Sequence, residues 1–220
     1  MIKRLAILAS LAALSGCKTY IASDLFVSDI IAATEGEKMT APLVISTEAG
    51  SDSSCKENAP QILRAVQIKY KDAEFIGCER IKYDTVARFR VQADIIDLTT
   101  SKTTGQAFAI GVARDGGTYH VSYITNPSAT RAIWNALPKD VKGYRDFEVS
   151  PQLSAVLNND LRDDITITTD DVFADGTPVQ GTQQKTIGRR DQVELTMSDV
   201  TNAAFGTTET VSHIVSFTKP

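Results

Sequence analysis

The sequence predicts an α+β fold, a mainly antiparallel β-sheet with two short helices packed on it, after an N-terminal processing segment. Three observations predict it. Thr85 to Leu98 alternates strictly, with Ala87, Phe89, Val91, Ala93 and Ile95 on one face and Arg88, Arg90, Gln92 and Asp94 on the other, and one wet face points to antiparallel pairing. Arg114-Asp115-Gly116-Gly117 separates two strand-like runs, 107–113 and 118–124, and Asp-Gly supplies the positive φ that a tight hairpin turn requires. Two segments, Asn58 to Tyr70 and Pro127 to Leu137, carry apolar residues at helical spacing.

The elements follow in order. Residues 42–48, PLVISTE, read as a strand. In the first helix, Ala59, Ile62, Leu63, Val66 and Tyr70 share a face, and Pro60 is tolerable in the first turn. Asn126 and Pro127 supply an N-cap and a first-turn proline for the second helix, which buries Ile133, Ala136 and Leu137. Beyond Phe147, residues 153–157, 164–168, 192–197 and 211–217 read as strands. No composition break marks a boundary, so 41–220 reads as one domain. The helix-strand pattern occurs twice, over about 41–100 and 105–220, which leaves two similar halves open.

The first sixteen residues are set aside as a targeting signal. Lys3 and Arg4 form a basic start, and Leu5 to Leu14 is an uncharged apolar run, too short for a bilayer core that needs roughly twenty residues. Leu14-Ser15-Gly16-Cys17 then resembles the bacterial lipobox, in which the Cys thiol takes a diacylglycerol and cleavage follows just ahead of it. That resemblance implies lipid attachment at Cys17 and a lipid bilayer as the first partner; an ordinary secretory signal leaving Cys17 free is the alternative. Cleavage there leaves 204 residues, of which 17–40 read as the lipidated Cys and a tether. By analogy with enterobacterial sorting, Lys18 favours the periplasmic side of the outer membrane over the inner membrane.

Loss of Lys3 and Arg4 turns 23 basic residues into 21 against 27 acidic ones, a net charge near −6. Such a body is a poor partner for nucleic acid or anionic headgroups. With Cys17 acylated, Cys55 and Cys78 remain as a pair. In an oxidising compartment they are expected to form a disulfide worth on the order of 3 kcal/mol by loop entropy; two independent buried thiols are the alternative.

Motifs for catalysis are sparse. No G-x-S-x-G, phosphate loop, H-E-x-x-H or C-x-x-C occurs, so no catalytic, cofactor-binding or metal-ligating residues are assigned, no cofactor is expected, and a non-enzyme is favoured. His120 falls on the polar face of its strand, and His213 shares parity with Val215 and Phe217, which reads as a core histidine. Asp171, Asp175 and Gly176 match positions 1, 5 and 6 of an EF-hand loop, but Phe173 and Thr182 fill positions 3 and 12. The motif fails, leaving a solvated turn or an irregular calcium site near Asp170, Asp171 and Asp175. Arg80, Arg88 and Arg90 form a small basic set on a wet face, and Trp134, the only Trp, reads as packing.

Four segments, SDLFVSDI, FIGCERIKYDTVARFRVQADI, DVFADGTPV and VELTMSDVT, resemble an uncharacterised family of phage- and prophage-encoded lipoproteins. The resemblance implies a virus-encoded envelope lipoprotein and supplies no catalytic residue. The expected function is a non-enzymatic interaction module with an unidentified envelope protein as partner, for example in excluding a second infecting phage. A periplasmic enzyme using Asp163, Asp164, Asp170 and Asp171, or a passive structural lipoprotein, is the alternative.

Overall fold

The computed structural model of the chain describes residues 19–81, 83–101, 103–142, 151–205 and 210–219. Strand β1 (Thr19–Phe26) runs into helix α1 (Val27–Thr34), and β2 (Met39–Glu48) leads to α2 (Asp52–Val66). Strands β3 (Glu74–Ile81) and β4 (Asp84–Asp97) pair in antiparallel register, as do β5 (Phe108–Asp115) and β6 (Thr118–Thr125). Helix α3 (Pro127–Ala136) and the single turn α4 (Lys139–Lys142) follow. The remainder is β7 (Gln152–Asn158), β8 (Ile165–Thr169), β9 (Val172–Ala174), β10 (Thr177–Pro178), β11 (Gln183–Ile187), β12 (Gln192–Met197), α5 (Asp199–Ala204) and β13 (Val211–Thr218).

The thirteen strands of the described residues join one sheet, in the order β10-β9-β12-β7-β1-β2-β4-β5-β6-β13-β8-β11, with β3 added to β4. The α+β class therefore holds, with additions to the expected pattern. The sheet is mixed, because β1 pairs β7 in parallel and β4 pairs β5 in parallel. Three helices beyond the expected two are present, α1, α4 and α5. Strands from 105–220 flank those from 41–100 on both sides.

The tether expected over 17–40 is corrected from Thr19 onward. β1 lies in the middle of the sheet between β2 and β7, and Ile21, Leu25, Val27 and Ile30 are fully buried. Its inward residues alternate with Ala22, Asp24 and Phe26 in solvent, a period of two that α1 at once replaces with helical spacing. The change of period between Phe26 and Val27 is what disguised both elements as irregular chain.

Helix α2 begins six residues before the expected Asn58, because the Ser51 hydroxyl accepts from the Ser54 amide at 3.2 Å and caps it. Pro60 consequently lies inside the helix, where it removes one backbone hydrogen bond. In α3 the Asn126 side chain accepts from the Ser128 and Ala129 amides, both at 3.1 Å, with Pro127 at the first position, as the sequence predicts. Ala129 is its buried residue; Ile133 and Leu137 are half-buried and Ala136 is exposed.

The sheet curls around its core. Tyr123 of β6 reaches across the interior, its hydroxyl 2.7 Å from the Ser23 hydroxyl of β1 and donating to the Ser154 carbonyl of β7 at 2.5 Å. Tyr70 likewise bridges the Phe108 backbone, donating to its carbonyl at 2.9 Å and accepting from its amide at 2.7 Å. At the far ends of the strand order, Lys185 of β11 pairs with Asp175 in the β9–β10 turn at 2.6 Å. A cavity of about 250 Å³ lies between these two ends, walled by Ile167, Ala174, Pro178 and Gln184 among others.

Candidate functional site

Cys17 and Lys18 lie outside the described residues, and the structure begins at the residue that would follow them. Thr19 sits opposite Thr47 of β2, and Thr47 sits opposite Ala87 of β4. These three residues form a row across one end of the sheet. Beyond that row β4 continues outward through Asp84 to Tyr83, which is 90 % exposed. The Cys55–Cys78 disulfide forms at the same end, joining the first turn of α2 to β3, where Cys78 faces Ala87. Cys78 lies within β3.

An apolar cavity of about 110 Å³ opens beside the row. Thr19, Thr47 and Glu48 line it from the strand ends, the buried Phe89 and Phe108 from the sheet, and Ile133 and Trp134 from α3 with Leu137 just beyond that helix. Trp134 is half-buried, so its ring closes this cavity instead of filling the main core. Periodicity placed Ile133 and Leu137 on the inward face; it carries no information that the face would be left incompletely covered.

His120 and His213 come together across β6 and β13. Their rings lie 6.3 Å apart, and both reach the Ser216 hydroxyl, His120 Nδ1 at 2.8 Å and His213 Nε2 at 2.9 Å. The core placement of His213 is overturned. A register shift between His213 and Val215 breaks the parity of β13, so that His213 and Val211 turn outward while Val215 and Phe217 stay buried. A bulge of this kind moves one side chain to the other face, and nothing in the local sequence announces it.

The His213 imidazole is held below the ordinary histidine value, first by desolvation against the sheet, then by His120, while Asp170 opposes both. A depressed histidine binds fewer protons in the native state than in the unfolded chain, so its contribution to stability is present above about pH 6.5 and is lost as pH falls through and below that value. The denaturation midpoint is expected to drop between about pH 7.5 and about pH 5.5, and the drop should shrink in His213→Asn. Equal pH dependence in the two proteins would show that other groups carry the effect.

The acidic residues do not converge. Strand β8 separates Asp163 and Asp164 from Asp170 and Asp171, a run of about 20 Å at strand spacing. Asp164 accepts from the Arg189 amide at 3.0 Å and borders an open cleft with Arg162, Thr166 and Thr218. Asp175 accepts from the Glu194 amide at 3.0 Å and pairs with Lys185, which together hold its carboxyl below the usual carboxylate range. Asp171 and Asp175 both adopt positive φ, 53° and 49°, a turn geometry that short polar side chains tolerate. Among the described residues no group of three or more His, Cys, Asp or Glu side chains is placed to hold a metal ion.

The arginines form no concentrated basic patch. Arg88 pairs with Glu79 and Arg90 with Glu74 at 2.7 Å, both acids supplied by the neighbouring β3. The sequence showed the alternation of β4 but gave no means of knowing which strand would lie beside it.

Among the described residues, no helix is long and apolar enough to cross a membrane. Comparison with curated proteins finds no match, and comparison with solved structures finds none. A domain of unknown function (DUF7424) matches residues 19–219, from the first residue of β1 to the residue after β13, and the chain belongs to that family.

Proposed function

We propose that the chain is a bacterial envelope lipoprotein, acylated at Cys17, that acts as a non-enzymatic interaction module and is encoded by a phage or prophage. One observation carries most of the weight. Of three cysteines, two are joined as Cys55–Cys78, which suits an oxidising compartment outside the cytoplasm and leaves Cys17 as the one remaining thiol, two residues ahead of the folded domain. The basic start, apolar run and Leu-Ser-Gly-Cys sequence around it support the same destination. Two or three acyl chains on one Cys give a stable anchor where a single chain does not.

The proposed role is protection of the host envelope, for example masking a receptor against a second phage, with an envelope protein as partner on the periplasmic side of the outer membrane. Expression in a susceptible host is expected to place the protein in the membrane fraction, with an intact mass showing acyl groups on a chain starting at Cys17. Cys17→Ser should release it and restore phage plating. An extracted chain without acyl mass would overturn the anchor, and unchanged plating of a broad phage panel would overturn exclusion.

A further inference from the structure

The geometry points to a defined orientation: the Thr19 end of the sheet rests directly on the bilayer, with the cavity beneath Trp134 opening onto lipid and Tyr83 entering the interface beside it. The inference rests on acylation of Cys17 and adds to it the face that the domain presents.

Reach sets the first constraint. Two residues span at most about 7 Å, and Thr19 is already fixed in the sheet opposite Thr47. An acyl group on Cys17 therefore holds this end of the domain against the membrane, with no length of chain to let it stand away. The second constraint is the neighbouring hairpin. Asp84, the first residue of β4, lies three residues outward from Ala87, the β4 residue in the Thr19 row, which is about 10 Å at strand spacing, and Tyr83 follows in the turn. The hairpin tip thus extends at least as far as the anchor can, and it presents an aromatic ring that is 90 % exposed.

The cavity supplies the third observation. Its lining includes Thr19, Thr47 and Glu48 at the strand ends together with the half-buried Trp134, Ile133 and Leu137. Trp and Tyr rings combine an apolar body with a polar edge and settle at the headgroup level of membranes. Glu48 lines the cavity, and Lys139 and Lys142 share the turn α4 with Val141, which also lines it, so both signs of charge occur here. With a net charge near −6 on the mature chain, apolar contact and the anchor must hold this face to lipid, and attraction to anionic headgroups is not required.

Trp134 is the only tryptophan, so its emission reports on this one place. The acylated full-length mature chain is reconstituted into phosphatidylcholine vesicles containing a shallow spin-labelled phosphatidylcholine, and the Cys17→Ser chain is mixed with the same vesicles. A ring seated about 5–10 Å into the headgroup and acyl boundary lies within reach of the label, so emission of the acylated chain falls about twofold. The Cys17→Ser chain is unchanged, and Tyr83→Asp in the acylated chain weakens the quenching. An acylated chain that floats with the vesicles while Trp134 emits unquenched overturns the orientation and leaves the anchor standing. A blue-shifted but unquenched signal means that the acyl chain of Cys17 fills the cavity itself, and also overturns it. A chain that neither carries acyl mass nor floats removes the anchor, and the orientation falls with it.

Discussion

Removing the Cys55–Cys78 disulfide is expected to lower stability by about 3 kcal/mol, the loop-entropy value for a closed segment of this length. The bond joins residues 23 apart in sequence, and the segment it closes holds α2 from its fourth residue, the turn after it and the first five residues of β3. In the unfolded chain that segment would otherwise be free to separate. In the native state the bond fixes the first turn of α2 to the sheet, with Cys55 fully buried and its sulfur 3.7 Å from the Val86 carbonyl. Urea titration with and without reductant, repeated on a Cys55→Ala, Cys78→Ala double variant, measures the effect. For a chain of this size it corresponds to a loss of about 10 °C in Tm. A double variant with an unchanged midpoint would show that α2 is held by packing alone.

Replacing Asn159 by Ala is expected to cost a similar amount, about 3 kcal/mol, because buried backbone groups lose their partners. Asn159 is fully buried at the end of β7. Its side-chain amide donates to the carbonyls of Asp163, Ile187 and Gly188 at 2.9, 3.1 and 3.1 Å, and its side-chain oxygen accepts from the Leu161 amide at 3.2 Å. Its backbone adds a bond to Asp191 and one from Arg190. One side chain thereby ties the β7–β8 connection to the β11–β12 connection. Asn159→Ala leaves three carbonyls and one amide without that partner, and hydrogen exchange should accelerate first in β8 and β11. Loss confined to global unfolding, with no local acceleration, would contradict a clamp at this site.

Sequence alone gave the fold class and most long elements, for identifiable reasons. β4 was readable because its inward residues, Val91 and Ala93 among them, alternate without interruption against a wet face. The β5–β6 turn was readable because Asp115-Gly116 carries its geometry locally, with Gly116 at φ 57°. The Cys55–Cys78 pair was readable from composition, because setting Cys17 aside leaves two cysteines. What failed was information that is not local. β1 and α1 were hidden because neither period lasts long enough to be seen, and their burial depends on distant partners, β7 beside β1 and β4, β5 and β6 against α1. His213 was misplaced because the β13 bulge inverts a parity that the sequence displays correctly up to that point. Ser216 was overlooked because its significance is its position between two imidazoles that only the sheet brings together. The acids of 163–171 were grouped by proximity in sequence, and β8 separates them.

The parallel pairing of β1 with β7 also fixes an order of assembly. Tyr20 faces Gln152, and Phe26 faces Asn158. A chain made from its N-terminus has produced β1 and β2 long before β7 exists, so the centre of the sheet waits with one side open. Contacts between such distant residues form slowly, since the intervening chain must be ordered before they are rewarded. Until residue 158 has been delivered, Ile21 and Leu25 border an unpaired strand edge of the sort that recruits other chains. The partly folded protein is thus most vulnerable to aggregation until β7 docks beside β1, and a holding factor would matter most in that interval.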